Sequence, residues 1–187
     1  LALRQAIARY LARTEGLSYD PASQIVVTPG AMGALFLALK VLLNPGDEVI
    51  VNEPCWTNYI QQIRMCGGVP VSVKTDAQRG FDLDVSAVAE AITSKTKAII
   101  LNSPCNPTGA VASAETLSQL AKLAQERDLV VLADEVYKHI LFDGRTYTGF
   151  ATLPGMKERT LVIDSLSKTY AMTGWRIGYA AGPEELI

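Results

Sequence analysis

The feature that most restricts this chain is the regular exchange of short β-branched runs with longer stretches of helical spacing. Ile25 to Thr28, Glu48 to Val51, Val69 to Val73, Lys97 to Asn102, Leu129 to Ala133, Thr160 to Ile163 and Arg176 to Ala181 read as strands, several of them apolar throughout. Between them, Leu3, Ile7, Tyr10 and Leu11 fall at helical spacing, and Ala31 to Leu43 is rich in Ala and Leu. Trp56 to Met65, Val85 to Ile92 and Ser113 to Arg127 complete the helices, with Asp84 as an N-cap. Strands apolar on both faces must be covered on both faces. The alternation therefore predicts an α/β fold of three layers, α/β/α, around a mostly parallel central sheet. A length of 187 residues suits one domain, and no repeat or linker interrupts it.

Composition narrows the partners. Hydrophobic residues at 49% against 19% charged describe a globular chain, and no apolar run is long enough to span a membrane. A net charge of −2 without clustered Lys and Arg argues against nucleic acid. Cys55, Cys66 and Cys105 are odd in number and lack metal spacing, and His139 is the single histidine, so no metal site is expected. The cysteines read as reduced thiols of a cytoplasmic protein, and His139 as structural. The first residues lack the layout of a secretion signal and read as a cut through a helix, while Pro183 followed by acids reads as a helix start cut short. A piece of a longer protein is expected.

In parallel sheets, ligands bind beyond the carboxyl ends of the strands. After the first strand, Pro29-Gly30-Ala31-Met32-Gly33 runs straight into a helix, a junction that suits an anion or simply a tight turn. Neither a Walker A loop nor the dinucleotide glycine pattern is present, which sets a nucleotide-binding module aside. Asn106 is held between two prolines in Ser103-Pro104-Cys105-Asn106-Pro107-Thr108-Gly109, as a site residue or as a turn. Asp134, three residues before Tyr137, ends an apolar strand and needs a cationic or N–H partner; a salt bridge or helix cap would also serve. Ser165, Ser167, Lys168 and, eight residues on, Arg176 could hold a phosphate ester beside a reactive amine, although a lysine in such a loop is ordinarily solvated surface.

Together these parts resemble the fold-type-I pyridoxal-phosphate (PLP) enzymes, and within them the class I/II aminotransferases of the aspartate aminotransferase type. The resemblance is carried by VTPGAMGAL (27–35), NPGDEVIVNEPCWTNY (44–59), NSPCNPTG (102–109), DEVY (134–137) and SLSKTYAMTGWRIGYAAGP (165–183), in the expected order over nearly the whole chain. It implies the fold-type-I large domain over residues 1–187, with an N-terminal segment and a smaller C-terminal domain outside this stretch. It implies PLP as cofactor, an amino acid and a 2-oxo acid as substrates, and a homodimer for the full-length protein.

The resemblance also implies roles. Lys168 forms the Schiff base and shuttles the substrate proton, and Asp134 pairs with the pyridine nitrogen. Tyr137 and Asn106 bond the ring's phenolic oxygen, and Asn106 also reaches the substrate carboxylate. Trp56 stacks on the ring. The phosphate is held at Gly30 by the amides of Ala31 and Met32, and by Ser165, Ser167 and Arg176. Residues 172–176 have an aspartate-type look. The family's arginine for the substrate α-carboxylate lies beyond this stretch, so these residues alone are expected to bind PLP weakly and to transaminate poorly. A C–S β-lyase on the same fold, or the PLP-sensing domain of a transcription regulator, would share every residue named.

Overall fold

In a computed structural model describing residues 1–187, the apolar runs form one seven-stranded sheet in the order β1-β7-β6-β5-β4-β2-β3. The strands are β1 (Ile25–Thr28), β2 (Glu48–Glu53), β3 (Val69–Lys74), β4 (Thr96–Asn102), β5 (Val130–Asp134), β6 (Thr160–Ser165) and β7 (Gly178–Ala181). Only β7 opposes its neighbours, β1 and β6; the other pairings are parallel, as the sequence predicts. The helices are α1 (Ala2–Glu15), α2 (Gly30–Leu42), α3 (Thr57–Met65), α4 (Val85–Ala91), α5 (Ala114–Glu126) and the short α6 (Leu166–Thr169). No helix is long and apolar enough to cross a membrane.

Local chemistry explains the helix starts. Asp84 Oδ1 accepts from the amides of Ser86 and Ala87 at 3.0 and 3.2 Å, and Ser113 Oγ accepts from the Thr116 amide at 3.1 Å. Along α5, Leu117, Leu120, Ala121 and Ala124 recur at helical spacing and are all buried. Burying a side chain such as Leu120 contributes about 1.5–3 kcal/mol.

The period of two along each strand sorts side chains between the faces. Ala98, Ile100, Leu132, Leu161, Ile163 and Ala180 join α2 and α3 on one face. Ile99, Leu101, Val131 and Ala133 meet α4 and α5 on the other, where Val162, Tyr179 and Ala181 pack on α1. By the same alternation Asp134 and Ser165 fall on the α2/α3 face, and Glu135 and Asp164 behind it.

Two expectations need correction. Arg176 is not in a strand: its φ of 54° places it in the left-handed region after the 3₁₀ turn Thr173–Trp175, and β7 begins at Gly178. Trp56 is extended and caps α3 from outside instead of opening it. At Pro183 the Ile187 amide donates to the Pro183 carbonyl at 3.2 Å, the i,i+4 bond of a first helical turn, in line with the helix start read there.

Candidate active site

At the edge where β1, β4, β5 and β6 end and β7 begins, the α2/α3 face opens into a cavity of about 310 Å³. Of the residues singled out in the sequence, Ala31, Met32, Trp56, Asn106, Asp134 and Tyr137 line it, together with Ser165, Ser167, Lys168 and Arg176. Gly30 lies immediately beneath, buried against the Arg176 guanidinium. His139 stands outside, hydrogen-bonded to the Tyr10 hydroxyl of α1.

One part of the cavity gathers uncapped backbone amides and a guanidinium, groups whose chemistry suits an anion. The amides opening α2 have no side-chain cap, and no acidic residue stands in its first turn. Gly30 adopts φ 75°, and a Cβ there would stand 2.5 Å from Arg176 Nη2, so only glycine lets the guanidinium lie on this backbone. Arg176 Nη1 donates to the Thr173 carbonyl at 3.0 Å, which fixes its direction. Opposite lies Gly178, paired in register with Ser165; a Cβ on Gly178 would come within 2.5 Å of the Ala31 amide nitrogen. The start of α2 rests directly on the sheet because that side chain is absent.

The cavity also holds a buried acid. Asp134 accepts from Tyr59 Oη at 2.6 Å and from the Val136 amide at 3.4 Å. Burial raises its pKa to about 6; those two hydrogen bonds act in the opposite direction, and the nearby Asp164 charge adds to the rise. A cation placed beside it would reverse the shift. In the same cavity Lys168 Nζ lies 5.6 Å from the centre of the Tyr137 ring. Asn106 is positioned through its amide, which donates to Asn102 Oδ1 at 2.8 Å, while Asn102 Nδ2 donates to the Asp134 carbonyl at 3.0 Å.

Two contributors were missed in the sequence. Tyr59 follows Trp56 by three residues, a helical spacing that puts both rings at one place, with centroids 5.5 Å apart. Asn102, a buried amide ending an apolar strand, carried the signal of an unpaired polar group.

The Asp134 shift has a consequence for stability. A carboxyl whose folded pKa lies above its unfolded value binds more protons folded than unfolded, so stability is full below the unfolded pKa and falls as pH rises through the folded one. With the rise from 3.8 to about 6, the loss attributable to Asp134 amounts to about 3 kcal/mol between about pH 4 and about pH 7. Asp134→Asn is expected to remove that part of the slope, as read from urea midpoints across this pH window.

The whole chain, residues 1–187, matches the family described as aminotransferase class I and II. The aspartate/prephenate aminotransferase of Thermus thermophilus is 46% identical over 99% of this chain and 47% of its own length. Among solved structures, an aromatic aminotransferase from Pyrococcus horikoshii superposes with a TM-score of 0.96 at 41% identity, over 98% of this chain and 49% of that one. The N-succinyldiaminopimelate aminotransferase of Mycobacterium tuberculosis does so with a TM-score of 0.95 at 44% identity, over 98% and 48%. This chain thus spans about half the length of the relatives it matches. With the strand order, the cavity and the similarity running over all its residues, the chain belongs to the class I and II aminotransferases.

Proposed function

We propose that this chain is the cofactor-carrying large domain of a PLP-dependent aminotransferase, one that moves an amino group between an amino acid and a 2-oxo acid. The observation that carries this reading is one cavity lined together by uncapped α2 amides, two serines and an arginine, a buried carboxyl and a primary amine. Its volume of about 310 Å³ lies at the lower bound of the roughly 300–1,000 Å³ usual for small-molecule sites. The donor set fits PLP, which joins a phosphate to a ring nitrogen that can carry a proton. Family members are PLP-dependent, and bound PLP supplies an electron-withdrawing ring, which no side chain offers.

In this reading the amides of Ala31 and Met32, the Ser165 and Ser167 hydroxyls and the Arg176 fork hold the phosphate. Asp134, oriented by Tyr59, keeps the proton on the ring nitrogen. Trp56 covers a ring face, and Tyr137 and Asn106 bond the phenolic oxygen, with Asn106 also serving the substrate carboxylate. Lys168 would hold the cofactor covalently, and its Nζ would serve as the base that moves a proton at the substrate Cα.

The relatives named above are an aspartate/prephenate, an aromatic and an N-succinyldiaminopimelate aminotransferase, so no single amino acid is assigned as substrate from them. A homodimer is the expected assembly, and the exposed apolar side chains of Met32, Leu37 and Val41 on α2 and Met65 on α3 offer it a surface. The three free thiols suit a reducing compartment. The β-lyase and regulator readings find no support among the relatives named above.

The test is chemical. The full-length protein is incubated with PLP, reduced with borohydride and digested, and the modified peptide is located. The label is expected on Lys168; a label elsewhere, or none at saturating PLP, overturns the assignment. Analysis of the products then separates transfer, which yields a keto acid and a new amino acid, from elimination, which yields pyruvate and ammonia.

A further inference from the structure

Behind the cavity, on the opposite face of the sheet, the Lys138 ammonium is enclosed, its side chain 1% exposed. Three carboxylates share it: Glu15 at 2.7 Å, Asp164 at 3.1 Å and Glu135 at 3.5 Å. Tyr179 Oη donates to Asp164 Oδ2 at 3.0 Å, and the Tyr10 ring covers the ammonium at 5.4 Å. Tyr19 and Tyr147 complete the titratable groups around Glu135.

The strand register gives this cluster its meaning. Glu135 follows Asp134, Lys138 follows Tyr137, and Asp164 precedes Ser165 and takes the Ser165 amide on Oδ1 at 2.6 Å. Three cavity residues therefore each have a member of the cluster as chain neighbour, turned to the other face. Glu15, the last residue of α1, is the exception: it touches the ammonium and adjoins no cavity residue.

We propose that Lys138 is a positioning residue: by holding Glu135 and Asp164 together, its ammonium sets how the ends of β5 and β6 stand, and so where Asp134 and the Ser165–Lys168 turn meet the cofactor. The inference rests on the PLP reading above. A buried ion pair adds little net stability over an apolar filling of equal volume, which leaves alignment as the gain from keeping one. Without the ammonium, Glu135 and Asp164 face each other as like charges, relieved by taking protons or by moving the strand ends apart. Burial alone would discharge Lys138, but the charges of Glu135, Asp164 and Glu15 outweigh it and keep the ammonium protonated.

The experiment uses the full-length protein and compares Lys138→Met, Asp164→Asn and Glu15→Gln for thermal stability and for PLP affinity, read by quenching of tryptophan fluorescence. Lys138→Met and Asp164→Asn are expected to weaken PLP binding on the order of tenfold or more, by analogy with the effect of removing groups that orient metal ligands from behind. Glu15→Gln is expected to stay within about twofold while losing comparable stability. Equal PLP affinity in all three variants and the parent overturns the proposal and leaves the cluster a plain tie between α1 and the sheet. If Lys138→Met fails to fold, Asp164→Asn against Glu15→Gln decides in the same way. A parent protein that binds no PLP overturns the cofactor reading itself, a separate result from equal binding by all.

Discussion

Lys168→Ala in the full-length protein is expected to lower amino-group transfer by at least about a thousandfold while leaving PLP able to bind. Lys168 is the one primary amine lining the cavity, so no other side chain there can take over the covalent link or the proton transfer at the substrate Cα. The proposed anion cradle does not depend on it: the α2 amides, Ser165, Ser167 and Arg176 remain, as does Asp134. Two measurements separate the effects. Borohydride labelling should disappear, whereas fluorescence titration should still show saturable PLP binding. Transfer within about tenfold of the parent, or a label moved to another lysine with activity kept, contradicts the role given to Lys168.

Gly178→Ala is expected to have the largest effect on the scaffold. The added Cβ would meet the Gly30 carbonyl carbon and come within 2.5 Å of the Ala31 nitrogen, both backbone atoms that cannot turn aside as a side-chain end would. Either β7 or the start of α2 must shift, at a cost of about 3 kcal/mol, the upper part of the usual range for overpacking. Because the displaced atoms belong to the proposed anion cradle, phosphate affinity is expected to fall as well, measurable with inorganic phosphate in competition with PLP. Gly174→Ala is the matched control. Nothing lies within 4 Å of its added Cβ, and its stability is expected to remain within about 0.5 kcal/mol of the parent.

Much of the architecture was legible from local pattern. The strand and helix runs occur where β-branched residues and Ala/Leu-rich spacing place them, because each depends on residues a few positions apart. Their limits moved where a neighbour decided. Arg176 leaves the strand because its guanidinium lies against Gly30 on α2, and no property of residues 176–181 alone announces that contact. Asp134 and Ser165, read as following their strands, are their last residues, with Asn102 and Gly178 as the pairing partners that extend each ladder.

What the chain determined by itself is the kind of each element and, through its motifs, which side chains lie at the strand ends. Only the tertiary structure decided that β7 returns antiparallel between β1 and β6, that Tyr59 reaches Asp134 across 75 residues, and that Lys138 gathers three carboxylates behind the cavity. The physical reason is one of range. Spacing of two or 3.6 residues says which face a side chain occupies, but its partner on that face is set by strand order and register, which form only when the whole sheet closes over its core.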